Sequence, residues 1–284
     1  MTTLDFIRDV HIYQHKSGYR FSVDALLVDA FVKLPRARRI ADLCAGSGVI
    51  GLLLAKRYRS AQVTLVEIQE SLVKLAEKNS ALNNLDDRVS VVHADIGELV
   101  RPKTAEGTEA PNHAETAPDA EEHAADDSPP PEATPAQAWW SSIIAEPCFD
   151  LVVANPPFRP LKSGRLSIGG EKAIARHEIA LSLNELVSAA ARMLRHHGRF
   201  CFIQLPERLA DICVALRHNG CEAKRVRFVH SRIATEAKMV LVEAVRGGKP
   251  GLEVEKPLIL YDEKGNRTEE LLSFYAPDYQ PLDV

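Results

Sequence analysis

Short runs of β-branched and other apolar residues alternate along this chain with longer segments whose apolar positions recur at helical spacing. Strands are predicted at 39–44, 62–67, 88–93 and 149–154, with helices at 48–58 and 70–82 between the first three and at 182–196 after the fourth. A strand at 198–204 and a helix at 206–218 continue the series. Two strand-like runs then follow at 222–230 and 237–245, joined only by a short polar link. Strands separated by helices lie parallel because the crossover returns the chain to the same end of the sheet, whereas a short link makes an antiparallel hairpin. The pattern predicts an α/β fold whose mostly parallel sheet finishes in an antiparallel strand.

The alternation breaks between Lys103 and Ala138, where Pro, Ala, Glu, Asp and Thr dominate and large apolar residues are nearly absent. Such a stretch cannot bury enough surface to offset the entropy of ordering, so 103–138 reads as a disordered acidic insertion. Trp139 and Trp140 close it and are expected to dock the returning chain onto the domain. The chain thereby divides into an amino-terminal segment 1–38, a first half-domain 39–102, the insertion, a second half-domain 139–250 and a carboxyl-terminal extension 251–284.

The insertion also changes the meaning of the net charge of -4. Residues 101–147 hold ten acidic side chains against Arg101 and Lys103, which leaves 33 basic and 29 acidic residues elsewhere. The folded part is mildly basic, which permits a nucleic-acid partner without requiring one. A hydrophobic share of 45%, with no unbroken apolar run long enough to span a bilayer, excludes a helical membrane protein. The start Met1–Asp5 has neither the basic nor the apolar run of a secretory signal, so a cytoplasmic location is expected. The five cysteines include no CxxC pair and read as small core residues, with no metal site implied. His196 and His197 are expected to close the 182–196 helix, where positive charge suits the carbonyl end.

After the first strand stands Asp42-Leu43-Cys44-Ala45-Gly46-Ser47-Gly48-Val49-Ile50-Gly51, which enters a helix at once. Gly46, Gly48 and Gly51 satisfy GxGxxG at a strand-to-helix turn, and Glu67, followed by Ile68, ends the next strand about 20 residues on. Two ligands share this layout. A pyrophosphate can approach the helix amino terminus through such a turn, and so can the amino-acid and ribose parts of S-adenosyl-L-methionine (AdoMet). Asp42 favours the second, since a carboxylate repels a pyrophosphate and attracts the ammonium of a methionine moiety. Glu67 can accept ribose hydroxyls in either case. Asp95 at the end of the third strand can accept from an adenine amino group while Ile96 covers the ring, or it can cap the following turn. Ala45, Gly46, Gly48, Ile68, Asp95 and Ile96 complete the candidate cofactor set.

Asn155-Pro156-Pro157-Phe158 directly follows the strand 149–154. Two prolines after a strand can simply end it and stiffen a turn. The position argues for chemistry, because ligand sites in open α/β sheets lie beyond the carboxyl ends of the strands. An exocyclic amine of a base, or a carboxamide, is a poor nucleophile because its lone pair is delocalised. The Asn155 side-chain oxygen and the Pro156 carbonyl can accept its two N–H hydrogens and stabilise the positive charge that develops on nitrogen. Pro157 holds that geometry, and Phe158 offers a face on which a flipped base stacks.

Together, Asp42 to Gly48, Glu67, Asp95 and the Asn-Pro-Pro-Phe tetrad resemble the motifs of class I amino-methyltransferases. The stretch from His11 to Ala25 is more particular and resembles the amino-terminal signature of the bacterial tRNA adenine-N6 methyltransferases, which modify the adenine 3′ of the anticodon in a valine tRNA. That resemblance implies a Rossmann-like, seven-stranded sheet with a final antiparallel strand, AdoMet without metal, and a tRNA partner. It also implies that Tyr19, Arg20, Phe21 and Asp24 close over the cofactor and target. The sequence departs from the family in Phe158, where many adenine enzymes carry tyrosine, and in the acidic insertion. Two basic sets are candidates for phosphate contact. Arg159, Lys162, Arg165 and Arg176 follow the tetrad, and Lys224, Arg225 and Arg227 lie near the late hairpin. Protein glutamine-N5 or rRNA guanine-N2 methylation is the nearest alternative, since the tetrad suits any planar amino group. A nucleotide-binding module or NAD-dependent oxidoreductase stands further off.

Overall fold

The computed structural model describes residues 2–16, 23–100, 134–157, 181–277 and 279. A hairpin of β1 (Thr2–Ile7) and β2 (Val10–His15) precedes helix α1 (Val23–Phe31). Then come β3 (Arg39–Leu43), α2 (Val49–Arg57), β4 (Gln62–Glu67), α3 (Glu70–Leu82), β5 (Val89–His93) and the short α4 (Ile96–Val100). After the insertion follow α5 (Pro135–Ala145), β6 (Phe149–Ala154), α6 (Leu183–Met193), β7 (Leu194–Gln204), α7 (Leu209–His218), β8 (Cys221–His230) and β9 (Ala237–Arg246). Two strands of two residues each, β10 (Glu253–Val254) and β11 (Leu258–Ile259), and a helix α8 (Glu269–Ser273) complete the order.

The central strands run β5-β4-β3-β6-β7-β9-β8. Pairings from β5 to β7 are all parallel, and β9 inserts antiparallel to both neighbours, between β7 and β8. The mostly parallel sheet with its antiparallel strand is therefore as the periodicity predicts. The count differs. β10 and β11 from the carboxyl-terminal extension both pair with β8, so among the described residues the sheet has nine strands rather than seven. Neither pair of residues carries a readable period, so the pattern could not announce them.

Strands buried on both faces explain the continuous apolar runs. Ile40, Leu65, Leu151 and Val153 pack with α1 and α2 on one side. Ala41, Leu43, Val152, Ala154 and Phe200 pack with α6 and α7 on the other. Helix α6 starts at a capping box in which Ser182 and Glu185 satisfy each other's backbone N–H. It stops at Met193, short of the predicted end, because Leu194 already pairs with Phe149 in the sheet. His196 and His197 therefore do not cap a helix. They sit in an irregular start of β7, where five residue steps oppose two on β6, with His197 at φ 59. Helix α5 likewise corrects the far edge of the insertion. A second capping box, Thr134 with Gln137, opens it inside the stretch expected to be disordered, and Trp140 is buried against the core as its docking role requires. All five cysteines are free, with Cys201 and Cys221 fully buried. Among the described residues no helix is long and apolar enough to cross a membrane.

The amino-terminal hairpin lies on α3 through two asparagines. Asn79 accepts from Tyr13 N (2.7 Å) and donates to Tyr13 O (3.0 Å), while Asn83 accepts from His11 N (2.9 Å) and donates to His11 O (2.7 Å). Two residues of strand advance about 6.6 Å and four of helix about 6 Å, so one carboxamide per turn matches every second strand residue. The side chains act as a substitute strand for β2.

A buried ion cluster anchors the rest of the amino-terminal segment. Asp29 on α1, fully buried, pairs with Arg8 of the hairpin turn (2.7 Å) and Arg57 at the end of α2 (3.1 Å). Arg8 also donates through Nε to Phe274 O (2.7 Å), which ties the carboxyl-terminal segment to the same point. Removing one member strands buried charge, so Asp29→Ala should lower the unfolding free energy by about 3 to 5 kcal/mol in a denaturant titration. A loss below about 1 kcal/mol would show that the cluster is not holding these elements together.

Candidate active site

The direction of sheet growth reverses between β3 and β6. From β3 the chain adds β4 and β5 on one side, and after the insertion it adds β6 and β7 on the other. Leu43 pairs with Ala154, so the next residues, Cys44 and Asn155, leave neighbouring carboxyl ends about 4.8 Å apart in strand spacing. Leu43 also pairs with Val66, and Glu67 with His93, which sets Glu67 and Asp95 along the same edge. The sequence-predicted residues on β3, β4, β5 and β6 thus share one rim at the switch point, the position where open α/β sheets hold their ligands.

The glycine turn is built from left-handed backbone. Cys44 (φ 58), Gly46 (φ 57) and Gly48 (φ 88) alternate through it, and Gly48 N donates to Ala45 O (2.9 Å) before α2 begins. A Cβ on Gly48 would also lie 2.9 Å from Leu65 Cδ1, and one on Gly51 would overlap the Leu65 side chain. The turn needs glycine at 48 for its φ and at 51 for helix-to-strand approach.

Three side chains brace this turn. Glu67, buried, accepts from Gly46 N (2.8 Å) and Gln69 N (2.9 Å). Asn79 donates to Ser47 O (3.0 Å) with the same amide nitrogen that holds β2. Asp42 is fully buried, and its Oδ2 accepts from Gly51 N (2.9 Å). Its Oδ1 is buried without a hydrogen-bond partner among the described residues. Burial pushes the Asp42 carboxyl up to about 7, against the lowering effect of the Gly51 N–H, with the Glu67 charge adding to the rise. Asp42 therefore braces the turn from within through Oδ2, and its Oδ1 is not used by the turn.

Asp95 takes the capping alternative, with Oδ1 accepting from Gly97 N (2.7 Å) at the start of α4. Ile96 is buried beside it, whereas Ile68 is exposed and its carbonyl is 2.8 Å from His93 Nε2. Asn155 is half-buried and its side chain makes no hydrogen bond with the described residues, so its carboxamide is not consumed by the fold. Pro156 is buried and Pro157 exposed.

Residues 22–107 match the methyltransferase small domain. This chain carries a methyltransferase domain. Among curated relatives, a tRNA1(Val) (adenine(37)-N6)-methyltransferase of Phocaeicola vulgatus is 24% identical over 81% of this chain and 79% of its own. One of the same name from Aeromonas hydrophila is 22% identical over 96% of this chain and 95% of its own. Among solved structures, a predicted O-methyltransferase from Agrobacterium tumefaciens is 22% identical, with a TM-score of 0.60 over 91% of this chain and all of that one. The M. jannaschii TYW2 structure in complex with AdoMet, 13% identical, gives 0.51 over 86% of this chain and 85% of that one.

Of the other residues singled out in this methyltransferase, Tyr19, Arg20, Phe21, Phe158, Arg159, Lys162, Arg165 and Arg176 lie outside the described residues. The second basic set is placed differently from the expectation. Arg225 is 7% exposed and donates to Glu243 (2.9 Å), Glu255 (2.8 Å) and Phe31 O (2.6 Å), so it is an interior cation. Arg227 pairs with Glu270 (2.7 Å) and donates to Lys256 O (2.9 Å), and Lys224 donates to Lys249 O (3.0 Å). These charges fasten the carboxyl-terminal extension to β8 because the acids and carbonyls that attract them arrive from distant sequence. Sequence reasoning missed Asn79 and Asn83. Their signal was two poor helix formers four residues apart inside a helix.

Asp42 sets a pH dependence. An unfolded carboxyl ionises near pH 4 while the folded one keeps its proton to about pH 7. The raised value therefore costs nothing below pH 4, removes stability as pH rises from 4 to 7, and levels off above. The loss is on the order of 4 kcal/mol for a shift of this size. Asp42→Asn keeps an acceptor for Gly51 N and should abolish that slope in melting curves taken without added ligand. An unchanged slope would mean that another group causes it.

Proposed function

We propose that this methyltransferase transfers the methyl group of AdoMet to the exocyclic N6 of an adenine in tRNA. The observation that carries the proposal is the adjacency of Asn155 to the glycine turn at the reversal of strand order. The sequence Asn155-Pro156-Pro157-Phe158 at that place supports an acceptor whose nitrogen must be made nucleophilic. The names of relatives that align over most of their length support adenine as that acceptor.

The residues present fit AdoMet. The buried Asp42 carboxylate and its partnerless Oδ1 place negative potential behind a turn that a cationic amino-acid moiety can approach. Glu67 and Asp95 stand on the rim for the ribose and the adenine amino group, with Ile68 and Ile96 beside them, and a carboxylate oxygen can accept more than one hydrogen bond. When bound, AdoMet supplies an electrophilic methyl on a sulfonium. Asn155 Oδ1 and the Pro156 carbonyl would accept the two amine hydrogens, localising the lone pair and stabilising positive charge on nitrogen while its bond to the methyl carbon replaces the carbon–sulfur bond. The methylated amine would then release one proton to solvent. Pro157 restrains the carbonyl, and Phe158 supplies the stacking face for a base withdrawn from its neighbours. Arg159, Lys162, Arg165 and Arg176 are the proposed phosphate contacts, with the segment 1–38 covering the pocket and a separate acidic insertion that ends where Thr134 caps α5.

Labelled AdoMet with total cellular RNA or protein tests the acceptor class. Label released by ribonuclease is expected, and label released only by protease would reject the reading. Asn155→Ala should keep AdoMet affinity within about twofold and lower kcat by 10²-fold or more, the scale of losing a group that stabilises developing charge. Unimpaired turnover would overturn the assigned mechanism.

A further inference from the structure

Among the described residues the outward face of the β1–β2 hairpin is left largely exposed, and it carries Leu4, Phe6, His11, Tyr13 and His15. Pairings Thr2 with His15, Leu4 with Tyr13 and Phe6 with His11 put these six side chains on one face, while Ile7, Val10, Ile12 and Gln14 fill the buried one. Phe6 is 65% exposed and Leu4 42%, far from the usual fate of such residues on an edge strand. The Phe6 and His11 rings meet edge to face at 4.7 Å, and Lys78 Nζ of α3 lies 3.7 Å over the Tyr13 ring.

We infer that this face is a platform on which bases of single-stranded RNA stack, an inference that rests on RNA being the substrate. Aromatic and imidazole faces accept any base, and a lysine over a ring face can move to a phosphate and leave that face to the base. Charge agrees with that occupant. Among the described residues no carboxylate of the hairpin lies on the face: Asp5 points to the opposite side, where Gln14 Nε2 (2.6 Å) and Thr3 Oγ1 (3.2 Å) donate to it, and Asp9 is in the turn. Around it on α3, Glu70 is paired with Lys74 (2.6 Å), and Glu77 is the residue next to Lys78.

Position agrees as well. β2 runs against α3 from Asn83 towards Asn79, and Asn79 joins Tyr13 O to Ser47 O of the glycine turn. The ribbon therefore leads away from the rim that holds Asn155 and Glu67, with His15 at the near end and Phe6 and His11 at the far end. A loop that delivers one nucleotide to the rim can lay its neighbours along this row.

The test is the affinity of the full chain for unfractionated tRNA, read separately from methyl transfer. Phe6→Ala and Tyr13→Ala should each weaken it at least about fivefold, the low end for one lost stacked base. Phe6→Trp should restore it, and Lys78→Gln should flatten the dependence of log affinity on log salt by about one unit. AdoMet affinity and melting temperature should stay at wild-type values in Phe6→Ala, whose side chain touches little of the fold. Unchanged tRNA affinity in both alanine variants would overturn the platform while leaving the proposed activity intact. So would a stable dimer of the chain that Phe6→Ala dissociates, since the face would then be covered by a second copy. Binding that depends on these rings without any methyl transfer to RNA would keep the platform and reject the activity.

Discussion

The arrangement rests on β3 being hydrogen-bonded on both sides, to β4 and to β6. A parallel sheet that grows outward from one strand in two directions has one seam where the loops after neighbouring strands diverge. Only there can a glycine turn and a second loop face each other without a crossover helix between them. In this chain the two loops are those after Leu43 and Ala154, brought together from positions far apart in sequence. A register slip of one residue in β6 would turn Asn155 to the other face, so the apolar fit of Leu151, Val152 and Val153 is also what aims the carboxamide.

The seam is useful only if the glycine turn is rigid, and the chain secures it with buried polar groups. Glu67 holds the turn from β4, Asp42 from β3 and Asn79 from α3. Each is a charge or amide placed where an apolar residue would cost less to bury. Asp42 bears that cost most visibly, since its carboxyl is displaced to near neutrality by its own burial. Stability is given up there for a carboxyl held in the interior, the kind of perturbed group that functional sites concentrate.

The two ends of the chain are fitted to this domain by a different device. Asparagines on α3 replace a missing strand for the hairpin, and the Asp29 cluster joins hairpin turn, α1, α2 and carboxyl-terminal segment. Glu255 is drawn between Arg225 and Lys33 in the same way. Burial pushes its carboxyl up, but the two cations outweigh that and hold it below the ordinary range. The resulting frame leaves one aromatic face of the hairpin in solvent, next to the rim.

Local chemistry was enough for the sequence to determine the βα alternation, the antiparallel ending, the glycine turn and the Asn155 tetrad at a strand end. Periodicity and turn residues act over a few positions, and they place a motif on its own element. They also separate Gly48, needed for its φ, from Gly51, needed for close packing, only once Leu65 is known to lie beneath both. Tertiary structure alone decided which side chains are spent on the fold. Arg225 and Arg227 read as surface cations until Glu243, Glu255 and Glu270 arrive from elsewhere, and that Asp42 also holds Gly51 N from inside the turn shows only in the fold. Whether a charge faces water or another charge depends on residues remote in sequence, and no window along the chain contains them.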